Sequence, residues 1–300
     1  MSKLQVSVAP QWHFDLGRED TVQQEWDLRG EPPAEHFDIL LAPPLTTPND
    51  LIQARKVGAR LLQLGSIGYD PLIGQPVPDG LQVANAAGVY EAITAEHTLG
   101  LLLTGMRDYR RAATSKDTGK WDYFFVDGLT DARVLLIGVG GVGAAITERL
   151  EPFEVDLVRF ATHTRTDRFG AVHGMDELDK YLPTADAIIV VVPLNNSTRG
   201  LLGEEVLSAL PDGAVVVNVA RGPVADTDAL LRHAHRLRLV LDVTDPEPLP
   251  QGHPLFDAAY FLTAHIGGAS KGRDRRMRDL LNEQIDIMLR GGTCKNLIKL

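Results

Sequence analysis

Cysteine is almost missing from this chain. Among 300 residues only Cys294 is one, so no internal disulfide framework can form and a reducing compartment is expected. Long apolar runs are missing too. The stretch around Leu99–Leu103 is interrupted by Thr104, Gly105 and Arg107, far short of the roughly 20 residues a membrane helix needs. The opening Met1-Ser2-Lys3-Leu4-Gln5 lacks the apolar centre of a signal peptide. Positive charge is scarce: 30 Lys and Arg stand against 40 Asp and Glu, a net charge of −10. Broad binding to nucleic acid or to an anionic membrane is thereby excluded, because phosphate would have to overcome the protein's own field. A small anion remains compatible, held by a local cluster of N–H groups and arginines. No internal repeat and no low-complexity tract appears. These absences predict a soluble cytoplasmic protein, long enough for two domains.

What is present centres on Val134-Leu135-Leu136-Ile137 running into Gly138-Val139-Gly140-Gly141-Val142-Gly143. Four strand-type residues enter a glycine turn, and Ala144–Leu150 continues with helical spacing. A phosphate-binding β-turn-α needs that order. Gly138 permits the tight turn, Gly140 lets backbone approach a pyrophosphate, and Gly143 allows close packing of helix on strand. The helix N-terminus adds unpaired N–H groups and a partial positive charge.

Upstream, Leu4–Ala9, Phe37–Ala42, Arg60–Leu64 and Leu81–Ala84 are short apolar strand candidates, and Asn49 is expected to cap a helix through Val57 closed by Gly58. The turn Leu64–Asp70 brackets Ser66 and Ile67 with Gly65 and Gly68. That pattern either aims backbone N–H groups at an anion or simply ends a strand. One long helix is expected over Thr94–Ala113, with Thr94 as N-cap. The polar segment Thr114–Asp131 carries Trp121, Tyr123, Phe124 and Phe125, suited to a subunit contact or to packing on its own domain. Downstream, the apolar runs 155–160, 187–192, 214–219, 239–243 and 260–263 alternate with helical patterns at 176–181, 204–210 and 228–234. Strands apolar on both faces imply a parallel sheet covered by helices. An amphipathic helix over Arg273–Arg290, ended by Gly291-Gly292, closes the chain, and its basic start reads as a solvated face.

In such sheets ligands sit beyond the carboxyl ends of the strands. Three of those ends carry unexpected polarity: Arg221 after Val215-Val216-Val217, Asp242 to Glu247 after Leu239-Val240-Leu241, and His265 after Tyr260-Phe261-Leu262. Reduction of a 2-oxo acid needs an arginine to polarise the keto oxygen and hold the carboxylate. It needs a group titrating near neutrality to deliver a proton, and a carboxylate to orient that group and keep it charged. Singly, Arg221 reads as a surface ion-pair partner, Glu247 as a loop carboxylate and His265 as a hydrogen-bonded strand-end histidine; together, downstream of a dinucleotide turn, Arg221, His265 and Glu247 match these roles in order. No metal is called for.

From about Asp38 to Ile287 the chain resembles the D-isomer-specific 2-hydroxyacid dehydrogenases. The motifs are the Gly138–Gly143 turn, Pro193-Leu194 with Ser197–Leu201, Asn218–Gly222, Asp242–Pro248 and His265–Ala269. The resemblance implies an α/β fold of two lobes: a doubly wound Rossmann dinucleotide-binding domain over 97–269, and a smaller flavodoxin-like substrate domain built from 1–96 and 270–300. It implies Arg221, Glu247 and His265 as the catalytic set. It further implies that Ser66, Ile67 and Gly68 join Arg221 on the substrate, Ile67 and Gly68 offering N–H groups. Asp242 would hold the nicotinamide carboxamide. Gly141, Val142, Val192, Pro193, Val219, Ala220, Gly267 and Gly268 would line the cofactor with the glycine turn and His265. A homodimer is also implied.

Two departures concern the pocket: Ala264 stands where the family has proline, and Thr244 where it has an aromatic residue. A third concerns the cofactor. The carboxylate that NAD-dependent members place at the end of the second strand falls here on Ala161, within Phe160-Ala161-Thr162-His163-Thr164-Arg165. Thr162, His163, Thr164 and Arg165 suit a 2′-phosphate, so NADP is expected over NAD. A dinucleotide-sensing binding protein on the same scaffold is the alternative, and the presence of all three reacting groups disfavours it. A short-chain-type reductase fails for want of a Tyr-x-x-x-Lys pair.

Overall fold

The computed structural model describes residues 3–300; Met1 and Ser2, which open the segment read for a signal peptide, lie outside them. The chain divides into two compact units, Met1–Tyr90 with Lys271–Leu300, and Glu91–Ser270.

The first unit contains β1 (Leu4–Val8), β2 (Thr21–Glu25), β3 (Ile39–Leu41), α1 (Pro48–Lys56), β4 (Leu61–Gln63) and β5 (Gln82–Ala84). The strands pair in parallel in the order β2-β1-β3-β4-β5, the flavodoxin-like arrangement. Alternate residues feed two cores. Val6, Val8, Ile39, Leu41 and Leu61 face one side with Met277, Leu281 and Ile285 from the chain's last helix. Leu40, Leu62 and Leu64 face the other with Leu51 and Ala54 of α1. The cap of α1 corrects the expectation. Thr47 is the N-cap, its backbone N–H donating to the Asp50 carboxylate at 2.9 Å, while Asn49 donates to the carbonyl of Leu28.

The second unit opens with α2 (Glu91–Met106) and α3 (Tyr109–Asp117). The single helix expected over 94–113 is therefore two, and it starts before Thr94. Asp108 adopts the left-handed region at φ 52 and accepts a bond from the Arg111 amide, as aspartate does when it stops one helix and caps another. Then come β6 (Arg133–Ile137), α4 (Gly141–Leu150), β7 (Asp156–Ala161), β8 (Arg165–Asp167), β9 (Gly170–Gly174), β10 (Ala187–Val190), α5 (Glu204–Ala209), β11 (Val215–Asn218), α6 (Thr227–His233), β12 (Arg238–Leu241), α7 (Leu255–Ala258) and β13 (Phe261–Leu262). The last helix, α8 (Gly272–Leu289), belongs to the first unit. The helix expected at 176–181 is a 3-10 helix, Met175–Lys180.

The sheet order is β13-β12-β11-β10-β6-β7-β9-β8. All pairings are parallel except β8 with β9, which gives a doubly wound Rossmann sheet with its switch point between β6 and β10. Leu135, Ile137, Ile188, Val190 and Val216 enter the core on one face, and Val134, Leu136, Ile189, Val217 and Val240 enter it on the other. The helix α2 lies tightly on that second face. A Cβ on Gly105 would come within 2.6 Å of Val215 Cγ1, so only glycine fits there.

Candidate active site

The glycine turn sits at the switch point. Gly138 has φ 105, and a side chain on it would strike the Val191 carbonyl oxygen at 2.3 Å. A side chain on Gly143 would meet the Gly138 oxygen at 2.0 Å. These two glycines are required by backbone packing. Gly140, the N-cap of α4, differs: nothing lies within 4 Å of where its Cβ would be. Open space before an N-terminus whose flanking backbone is tightly closed fits a pyrophosphate held by amides. Val192 and Pro193 follow β10 beside this turn, and Val142 lies in the first turn of α4.

At the far end of the turn's neighbour, Ala161 is the last residue of β7, and Thr162, His163, Thr164 and Arg165 are exposed. Thr164 Oγ1 accepts from the Gly174 amide and donates to Glu177, so it is partly used. Arg165 opens β8 and donates to the His163 carbonyl at 3.4 Å. Two acids near this loop are paired with basic side chains. Glu177 lies 3.4 Å from His173 and 3.6 Å from Lys180, and Asp167 lies 2.9 Å from the buried Arg159. The β8–β9 hairpin beneath the loop escaped the sequence reading because Arg165-Thr166-Asp167 has no apolar face.

Beyond β11, a side chain holds the main chain in place. Asn218 is fully buried; its Oδ1 accepts from the Ala220 amide at 3.0 Å, and its Nδ2 donates to the Arg221 carbonyl at 3.1 Å. Val219 and Ala220 are thereby buried against the sheet end, and Arg221 emerges half-buried, donating to the Ala220 carbonyl. A Cβ on Gly222 would overlap the Thr244 carbonyl oxygen at 1.8 Å, which locks this loop onto the one after β12. The role of Asn218 was signalled by a polar residue ending an apolar strand.

The third element is the loop after β13. His265 has φ 53, a left-handed conformation uncommon outside glycine. Its Nδ1 lies 2.5 Å from Glu247 Oε1. Both side chains are 40% exposed, so the pair adds little to stability. Asp242, 3% exposed, accepts from His97, Thr263 and the amides of Ile266 and Gly267. Gly268 follows in the same loop.

Burial pushes the Asp242 carboxyl up, but the bonds from His97, Thr263 and the Ile266 amide outweigh it and hold the group down at about 2. A carboxyl depressed on folding stabilises the protein above its ordinary value of 3.8 and loses that contribution as pH falls. About 2 kcal/mol should therefore disappear between roughly pH 4 and pH 2. Urea unfolding across that range should show a shallower acid loss in Asp242→Asn than in the native chain. Equal slopes would refute the assignment.

In the first unit, the turn after β4 is fastened by its carbonyls. Gly65 accepts from Tyr90 Oη at 2.6 Å, Ser66 from the Ala86 amide at 2.9 Å, Ile67 from Asn85 Nδ2 at 3.0 Å, and Gly68 from Ser66 Oγ at 2.7 Å. In a trans peptide the N–H points opposite to the preceding C=O. The amides of Ile67 and Gly68 are therefore turned away from Ala86 and Asn85. Asn85 was not anticipated.

A doubly wound sheet with an open glycine turn at its switch point, and an oriented histidine beyond a strand end, defines a dinucleotide-dependent oxidoreductase. Residues 99–267 match the D-isomer specific 2-hydroxyacid dehydrogenase, NAD binding domain. The chain is 32% identical over 246 residues to the glyoxylate reductase of Thermofilum pendens, covering 77% of this chain and 72% of that one. It is 28% identical over 262 residues to the human glyoxylate reductase/hydroxypyruvate reductase, covering 83% and 80%. A D-isomer specific 2-hydroxyacid dehydrogenase from Xanthobacter autotrophicus Py2, solved with NADPH and MES, superposes over 100% of this chain and 98% of its own with a TM-score of 0.83 at 26% identity. The chain belongs to the D-isomer-specific 2-hydroxyacid dehydrogenase family, and is an NAD(P)-dependent oxidoreductase of that class. Among the described residues no helix is long and apolar enough to cross a membrane.

Proposed function

We propose that this enzyme reduces a small 2-oxo acid to the D-2-hydroxy acid with NADPH, His265 serving as the acid–base. The observation that carries this is the 2.5 Å pairing of His265 Nδ1 with Glu247, which fixes the ring and leaves Nε2 to protonate the forming alkoxide. A pure sensor has no use for an oriented proton donor. Arg221 is assigned to the substrate carboxylate and keto oxygen, and the amides of Ile67 and Gly68 to an anionic carboxylate. The bound dinucleotide supplies the hydride. Its pyrophosphate is assigned to Gly140 and the α4 amides, and its carboxamide to Asp242 Oδ2, which takes one protein donor where Oδ1 takes three. In this assignment the unit Glu91–Ser270 is the dinucleotide-binding domain and the other unit is the substrate domain.

The choice of NADPH rests on the loop after β7, where Ala161 supplies no carboxylate and Thr162, His163 and Arg165 stand exposed. An acid there would repel a 2′-phosphate, whereas a guanidinium favours it. Arg165→Ala should lower kcat/KM for NADPH by about tenfold or more, the loss of one charge-assisted hydrogen bond, and leave NADH unaffected. Equal kcat/KM for the two cofactors in the unaltered enzyme would overturn the preference. The activity itself is tested by NADPH oxidation with glyoxylate, hydroxypyruvate, pyruvate and phenylpyruvate, and absence of turnover with all four would sink it.

We also assign a homodimer contact to the segment around Trp121, Tyr123 and Phe125, all strongly exposed, beside α3, which buries no residue. A cytoplasmic setting agrees with the free thiol of Cys294.

A further inference from the structure

Asp242 is the template on which the catalytic loop is folded. The His265 amide donates to the Asp242 carbonyl at 2.7 Å. The next two amides donate to its carboxylate, Ile266 to Oδ1 at 2.9 Å and Gly267 to Oδ2 at 3.0 Å. Three consecutive N–H groups thus converge on one residue, and that convergence keeps His265 in its left-handed conformation, which otherwise costs on the order of 1–3 kcal/mol. Gly267 belongs to the same arrangement, since a Cβ there would press on Asp242 Oδ2 at 2.9 Å and approach His97 Cδ2 at 3.7 Å.

Among the described residues two side chains hold that carboxylate. Thr263 Oγ1 donates to Oδ1 at 2.6 Å, but it belongs to the chain entering the loop. The other is His97, whose Nε2 lies 3.1 Å from Oδ1, 145 residues away in sequence and on a different element. It projects from α2, the helix pressed on the sheet at Gly105, and its side chain is 19% exposed. Nε2 also lies 3.3 Å from Thr263 Oγ1, so one ring nitrogen braces both the template and its other support. An ionised carboxylate only accepts, so in this contact Nε2 is the donor.

We propose that His97 is a positioning residue for the reaction: through Asp242 it fixes the 265–267 backbone, and with it the direction in which His265 presents Nε2. This rests on the acid–base role given to His265 above. Loss of the His97 bond leaves Oδ1 braced by Thr263 and Ile266 alone and loosens the Ile266 and Gly267 amides on the carboxylate, and misplacement of a reacting group by about 1 Å is worth about 10²-fold in rate.

The test compares His97→Leu with His97→Gln, whose amide restores an N–H near the Nε2 position. In His97→Leu, kcat for the best 2-oxo acid should fall about tenfold to 100-fold, with KM for that acid within about twofold. The isotope effect from deuterated NADPH should rise as chemistry becomes slower than product release. Amide exchange at residues 266 and 267, whose N–H groups rest on the carboxylate, should accelerate. His97→Gln should recover kcat and exchange protection, which a residue needed only for packing would not. If His97→Leu does not fold, Thr263→Val removes the other donor and should reproduce the loss. Native kcat and native exchange in His97→Leu, or a loss that glutamine fails to restore, would overturn the proposal. Should the unaltered enzyme turn over no 2-oxo acid, the functional reading falls instead, and exchange at 266 and 267 alone decides whether His97 holds the loop.

Discussion

Replacing His265 by asparagine is expected to lower kcat by about 10³-fold, within the 10²–10⁴ range that a positioned general acid contributes. The substitution isolates chemistry from folding. At φ 53 the site tolerates few residues, and asparagine is one of those that adopt the left-handed region, so the backbone bond from residue 265 to the Asp242 carbonyl can persist. An amide cannot deliver a proton at neutral pH. Binding of NADPH, followed by its fluorescence, should stay within about twofold, because the groups assigned to the pyrophosphate lie at the α4 N-terminus and not in this loop. Single-turnover measurements with saturating glyoxylate separate the chemical step from release. Turnover within tenfold of the native enzyme would remove His265 from the mechanism.

Exchange of Arg221 for lysine is expected to cost about 10²–10³-fold in kcat/KM. Lysine keeps the charge but presents a point donor where guanidinium presents a planar fork matched to a carboxylate. Leaving one partner of a buried charged pair imperfectly satisfied costs about 2–5 kcal/mol. The fold should not notice. Residue 221 has extended backbone at φ −142, and the loop is held by Asn218 and by the contact of Gly222 with Thr244, neither of which involves the guanidinium. The loss should appear with every 2-oxo acid that is turned over, and NADPH affinity should be unchanged. A lysine variant with native kcat/KM would show that Arg221 does not grip the substrate.

Legibility in the sequence followed burial. The strands β6, β10, β11 and β12 lie in the sheet interior with both faces covered, so each is an unbroken apolar run, and the alternation of such runs with helical patterns already describes a doubly wound sheet. The edge strands β2 and β8 were invisible for the converse reason. Thr21-Val22-Gln23-Gln24-Glu25 and Arg165-Thr166-Asp167 have a solvated side, and their hydrogen-bonded neighbours, not their own side chains, make them strands. The break between α2 and α3 was hidden because Asp108 reads as an ordinary polar position until its backbone turns left-handed.

The glycine turn and the polar strand ends were determined by the sequence alone, since each depends on residues within a short span: a strand, a turn that only glycine can make, and a helix start. Arg221, Glu247 and His265 stood out because polar groups closing apolar strands have a local signature. Tertiary structure alone decided how these groups are held. His97 and Asp242 meet across 145 residues, and Asn85 fastens the Ile67 carbonyl across 18. Neither bond leaves a trace in periodicity or spacing, because a hydrogen bond between distant segments is made by the path of the backbone, and a lone histidine on a helix looks the same with or without a carboxylate opposite it.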